Sequence, residues 1–212
     1  MGWLLACRRA YTETINLIYR TNTIHLSSVF IVHFAPRLLL SDRLSQITSL
    51  EIVLPLQLAA PLNQNLPDRA KIQWSTYKSI TLSLSSNFPS LQKLNLSVST
   101  NCRFHFSNPS LDGYEEHLLE PLDALLRRSS PALRELTLAV PQPLHEALMS
   151  RAVNAGTTVS EQIHVNREYS WWRFWRTVDN IDGLDRQGGY WIRQGTEDIL
   201  VQKMLEKRRN GE

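Results

Sequence analysis

At 212 residues, 42% hydrophobic and 20% charged, the chain suits one large domain, or one domain with a tail, and it can bury a real core. Its net charge of +3 sits in residues 1–43, where Arg8, Arg9, Arg20, Arg37 and Arg43 face only Glu13 and Asp42; from Glu161 to Glu212 nine basic residues face nine acidic ones. That distribution speaks against a dedicated nucleic-acid binder, which concentrates Lys and Arg on its binding element.

The start, MGWLLACRRA, places its positive charges after the apolar run, the reverse of a signal peptide, and Ala6 stands where a myristoylation motif needs Ser or Thr. Leu4, Cys7, Tyr11, Ile15 and Ile18 recur at helical spacing, which predicts an amphipathic helix over residues 3–20 with this stripe toward the core. TNTIHLSSVFIV follows, and its β-branched density predicts a strand from about Thr23. The most apolar stretch, Val29 to Leu40, is broken by His33, Pro36 and Arg37, so no transmembrane segment and no membrane partner is expected.

Three copies of one short pattern organise the middle of the chain. ITSLEI (47–52), LQKLNL (91–96) and LRELTL (133–138) each carry apolar residues at positions 1, 4 and 6, and their starts lie 44 and 42 residues apart. Each reads as a half-buried strand with a candidate helix before it: Pro36 to Ser45, about Arg69 to Asn87, and about Tyr114 to Arg128. Pro89 and Pro131 end the later two helices. In the middle helix Ile80, Leu82 and Leu84 alternate as in a strand, while Trp74, Tyr77, Thr81, Leu84 and Phe88 fit a helical period; the helix is preferred because the other copies have one. Repeated helix-then-strand units with short returns require a parallel sheet. The expectation is an α/β fold of about five irregular, leucine-rich-repeat-like helix-strand units with a largely parallel sheet.

Leu144 and Leu148 mark another helix, and EQIHVNREY a fifth strand. YSWWRFWR (169–176) then packs five aromatic rings and two arginines into eight residues. With the turn at Asp182-Gly183 and GGYWIRQG, it is expected to sew the chain end to the core. Read as a helix, it places Trp171, Trp172 and Trp175 on one face, with Arg173 and Arg176 pointing out. The domain is thus expected to span residues 1–195, with a seam at 169–195 and a charged tail at 196–212 able to form one frayed helix.

Three segments resemble a known family. CRRAYTETINLIYRTNTIHL looks like the C-R-x-x-Y-x-E-x-x-x-x-x-Y-x-x-N-T-x-x-F block of fungal proteins carrying the domain of unknown function numbered 7730, through Cys7, Arg8, Tyr11, Glu13, Tyr19, Asn22 and Thr23; Leu26 replaces the usual aromatic. FPSLQKLNLSV and LLEPLDALLRR with LRELTLAVP resemble its central units, and GGYWIRQG its Y-W-I-x-x-G ending. Relatives commonly begin with an L-P-x-E-like helix resembling an F-box, the element that docks the Skp adaptor of cullin ubiquitin ligases, and this chain starts downstream of that position. The resemblance implies no defined activity.

Candidate sites are few. HEALM at His145 lacks the second histidine of a zinc-protease helix, and His105 and His117 flank a loop with Glu115 and Glu116 at no diagnostic spacing; scattered surface histidines are the expected reading. No nucleophile elbow or phosphate loop follows any strand, so no catalysis, cofactor or metal is expected. Asn95-Leu96-Ser97 matches a glycosylation triplet inside a predicted strand and is discounted. Only Cys7 and Cys102 are present, which suits a reducing, intracellular compartment, cytoplasmic or nuclear. The expected function is a non-enzymatic interaction module with a protein partner, the recognition part of an F-box-like protein, through Arg8, Arg9, Trp171, Arg173, Trp175 and Arg176. The alternative is nucleic-acid association combining the N-terminal arginines with tryptophan stacking.

Overall fold

The computed structural model describes residues 2–55, 68–99, 111–129, 132–156, 160–166, 169–181 and 186–195. The expected tail helix at 196–212, the turn at Asp182-Gly183, and Cys102, His105, Pro131 and Glu168 lie outside the described residues. Helix α1 (Gly2–Thr21) leads to strand β1 (Thr23–Leu26), and α2 (Val29–Leu38) with α3 (Ser41–Leu44) to β2 (Ser49–Pro55). Helix α4 (Asp68–Asn87) leads to β3 (Lys93–Ser99). Next, α5 (Leu111–Tyr114), a π-helical turn (Glu115–Leu119) and α6 (Glu120–Ser129) lead to β4 (Glu135–Val140), and α7 (Gln142–Asn154) to β5 (Ser160–Asn166). β6 (Tyr169–Ile181) and β7 (Arg186–Gln194) complete the described elements.

The seven strands form one sheet in the order β1-β2-β3-β4-β7-β6-β5. Pairings from β1 to β7 are parallel, while β6 is antiparallel to both β7 and β5, so β6 alone runs against the rest. The fold is therefore mixed α/β with a mostly parallel sheet. The three sequence repeats are stacked in register: Leu50, Leu94 and Leu136 are neighbours across β2, β3 and β4, and Ile52, Leu96 and Leu138 form the next row. Their entry turns repeat as well. The Thr48 carbonyl accepts from Gln92 and Lys93 at 2.8 and 3.0 Å, and the Gln92 carbonyl from Arg134 and Glu135 at 2.8 and 3.0 Å. Position 1 of each copy, Ile47, Leu91 and Leu133, is buried at that turn.

The inward set (Leu50, Ile52, Leu54; Leu94, Leu96, Val98; Leu136, Leu138, Val140) joins the helices in one core, and on the opposite face Ser97 and Ala139 are buried as well. Strands added in one direction by right-handed crossovers carry their helices on the same side. Among the described residues, the other face of the sheet carries no helix of its own.

Several elements depart from expectation. VFIV is the start of α2 rather than a strand, because Val32 and Ala35, one turn apart, are the residues that pack inward, and α2 contacts α4. Pro36 lies inside that helix, not at the start of the next. In α4 the helical period wins: Tyr77, Thr81, Leu84 and, just past the helix, Phe88 are buried together with Ile80, whereas Leu82 is exposed; the Trp74 side chain lies outside the described set. The α1 stripe meets the largest correction. Among its described side chains, Cys7, Tyr11 and Ile18 are exposed and Ile15 is half-buried, as is the neighbouring Tyr19. The strand that follows, β1, is four residues long and at the sheet edge, so little core lies beneath the helix. YSWWRFWR is not a helix but the first part of the 13-residue β6.

Candidate functional site

A strand sends alternate residues to opposite faces, so β6 and β7 contribute two different surfaces. Toward the helices go Phe174, Val178, Tyr190 and Ile192, all at most 3% exposed. Phe174 lies opposite Ile192 and meets the His145 ring of α7 at 5.4 Å between centroids. Of the tryptophans read as one packing face, Trp172 is 41% exposed and Trp175 half-buried, and the ring that enters the core here is Phe174.

Arg176 also turns inward rather than out. Its Nε and Nη2 donate to the Asp123 carboxylate at 3.2 and 2.8 Å, and its Nη1 reaches Glu115 at 3.4 Å. The Tyr190 hydroxyl donates to Asp123 Oδ1 at 3.0 Å, and the Tyr77 hydroxyl to the Leu118 carbonyl at 2.9 Å. Burial, reinforced by Asp123, pushes both phenols well above their usual range. For Arg176 burial opposes the charge most strongly, but the hydrogen bond to Asp123 and the fields of Tyr190, Asp123 and Glu115 together outweigh it, so its pKa is raised. Asp123 was missed in the sequence, although its position one turn from Leu119 and Leu126 on the α6 apolar face marks it as an inward carboxylate.

Above this network opens a cleft of about 550 Å³ between α7 and β6, lined by Glu115, Leu148, Arg151, Phe174, Arg176 and Asp179 among others. Arg151 reaches Glu115 at 3.3 Å, so the cleft's principal charges are already paired with each other. Among the described residues, no nucleophile with an adjacent base faces it.

On the helix-free face the residues form rows across the sheet. One runs His25, Glu51, Asn95, Thr137, Trp191, Trp175; the next runs Val53, Ser97, Ala139, Arg193, Arg173. The two indoles meet edge to face at 5.2 Å, and the Arg173 guanidinium lies 4.0 Å over the Trp191 ring. Gly189, opposite Thr177, makes room for this: a Cβ there would stand 2.7 Å from Trp175 Nε1 and collide with the Arg176 carbonyl. Elsewhere the face is polar, with Thr23 to Ser49 at 2.8 Å, His25 to Glu51 at 3.4 Å, and Lys93 paired with Glu135. Trp and Arg are thus concentrated at one end of this face, beside the buried Ser97 and Ala139. Trp191 and Arg193, on GGYWIRQG, were not chosen as site residues from the sequence; their alternation with Tyr190 and Ile192 is the signal that separates them.

Arg8 is exposed on α1, as is Glu13; Arg9 belongs to the same helix and Trp171 to β6, opposite Ile163, but their side chains are outside the described set. Arg8 and the Trp/Arg rows are not brought together. β1, which follows α1, and β6 are five strand spacings apart, about 24 Å. His145 is not a surface histidine: it is fully buried, and neither ring nitrogen has a hydrogen-bond partner of good geometry. Burial lowers its pKa to about 4, against smaller raising effects of Glu146 and the nearby Ile192 backbone. Among the described residues no group of three His, Cys, Asp or Glu could hold a metal, and no helix is long and apolar enough to cross a membrane.

A family model described as a domain of unknown function (DUF7730) matches residues 1–157. The matched span contains the CRRAYTETINLIYRTNTIHL block and the three repeats; β5, β6 and β7 lie beyond it. No curated protein and no solved structure matches the chain.

Proposed function

We propose that this chain, which belongs to the DUF7730 family, is a non-enzymatic protein-interaction module whose recognition surface is the helix-free face of its sheet. The observation that carries the proposal is the pair of rows in which Trp191 and Trp175 stand beside Arg193 and Arg173. Trp and Arg are the residues most enriched at binding hot spots, because they combine large contact area with directed polar groups. Here they lie on the face that the core does not use. Parallel strands backed on one side by helices also resemble leucine-rich repeats, whose exposed strand face holds partners. In that setting the module is the recognition part of an F-box-like protein; an upstream reading frame encoding an L-P-x-E-like helix supports this refinement, and a frame without one removes it.

The test is photocrosslinking in cells, with benzoylphenylalanine at Thr177 or Thr137 on the open face and at Arg128 or Ser86 in the helix layer. A discrete crosslinked protein from the open-face positions alone is expected. Crosslinks only from the helix layer contradict the proposal.

The interleaved Trp and Arg residues also favour a second reading, a stacking platform for single-stranded nucleic acid. The distance between this surface and the N-terminal arginines weighs against it. Tight binding to single-stranded DNA or RNA that weakens steeply with salt would promote it.

A further inference from the structure

Helix α7 is fastened to the fold mainly through its first half. Of its 13 residues only Leu144, His145 and Leu148 are buried, and α7 meets the sheet at β7. The second half stands over the cleft, where Leu148, Arg151 and Ala152 form the wall facing β6. Across that gap the link is polar, from Arg151 to Glu115 at 3.3 Å, and both side chains are partly exposed. Val153, in the last turn, is 56% exposed. One of the three buried side chains that hold this helix is therefore an ionisable ring.

No acceptor is in place for a proton on that ring. Neither nitrogen of His145 has a hydrogen-bond partner of good geometry. On its own helix the adjacent carboxylate is Glu146, which is exposed and accepts from Gln142 at 2.7 Å. From β6 the facing group is the Phe174 ring at 5.4 Å, with the cation Arg176 next along the same face, and β7 presents the Ile192 backbone and Tyr190. The remaining carboxylates, Glu115 and Asp123, are held by Arg151, Arg176 and the Tyr190 hydroxyl. A neutral imidazole fits this packing. An imidazolium there would leave two charged donors buried among apolar groups, which favours any arrangement that returns the ring to water.

We infer that α7 is an acid-released flap: protonation of His145 lifts it from the β6–β7 face while the rest of the sheet stays folded, and the cleft becomes an open groove floored by Phe174 and Ile192. The device is independent of the helix-free face. In the released helix the ring titrates near its ordinary 6.5, against about 4 when packed. A lowered packed value means that the packed form is fully favoured above pH 6.5 and loses ground as pH falls toward 4. The released population should therefore rise about twentyfold from pH 7 to pH 5. Hydrogen exchange of the full chain, followed by mass spectrometry and corrected for the intrinsic effect of pH, measures this. Peptides covering α7 are expected to lose protection about twentyfold between the two pH values, while those covering β2 and β3 keep theirs. In His145→Phe the protection of α7 should be the same at both. An equal loss in α7, β2 and β3 marks global unfolding and overturns the inference, as does unchanged α7 protection in the wild type or an undiminished loss in the variant. Should His145→Phe fail to fold, titration of the His145 ring by NMR in the wild-type chain decides: a midpoint close to 6.5 overturns the flap, and a midpoint below about 5 with the α7-selective loss supports it.

Discussion

His145 is buried without a well-made hydrogen bond, and burial holds its pKa near 4, below the usual 6.5. A depressed folded pKa means the unfolded chain binds the proton first as pH falls. Stability is therefore whole above about pH 6.5 and is lost progressively toward pH 4, by about 3 kcal/mol from this residue. His145→Phe, which suits the neighbouring Phe174, should remove that part of the pH dependence; parallel curves for the two proteins in urea titrations from pH 7 to 4 would contradict the assignment. Asp123 and Arg176 behave differently, since each neutralises the other inside the protein. Asp123→Ala strands the guanidinium and the Tyr190 hydroxyl, and a loss of about 3–5 kcal/mol is expected by chemical denaturation. Gly189→Ala should lower the melting temperature and alter tryptophan fluorescence, because the methyl displaces Trp175.

Among elements, β6 separates stability from surface along one strand. Phe174→Ala removes a ring from the core and should cost about 3–5 kcal/mol. Thr177→Ala, exposed on the opposite face, should cost under about 1 kcal/mol; comparable losses measured by urea unfolding would contradict the two-faced strand. This strand was not legible as one, because both its faces are rich in rings and arginine: Phe174 and Arg176 face the helices, Trp175 and Arg173 the open side. The period-2 signal vanishes when neither face is plainly polar. The opposite held for β2, β3 and β4, where Leu or Ile at positions 4 and 6 alternates with Ser, Lys, Glu, Asn or Thr, and the register of the repeats could be anticipated. VFIV misled because β-branched residues suit a strand locally, while packing of Val32 and Ala35 chose a helix. Asp123 was legible in principle from its place on a leucine face.

At the scale of the molecule, four parallel strands taken in sequence order follow from the repeat itself, since each copy brings its own crossover helix. The return of β5, β6 and β7 does not follow from any repeat. It depends on β7 extending the ladder beside β4, where Ile192 continues the row of Leu138, Leu96 and Ile52. That insertion is what puts Trp191 and Arg193 on the open face beside Thr137 and Ala139, and so joins the C-terminal aromatics to the repeat surface. The sheet then divides its work: one face supplies the core, and the other presents Trp and Arg. The most direct test is to measure, for Trp191→Ala, both the thermal midpoint and the crosslinking yield from benzoylphenylalanine at Thr177. The division predicts a midpoint lowered by only about 2–6 °C and loss of the crosslinked partner. A large fall in the midpoint, with crosslinking by the remaining folded protein intact, would contradict it.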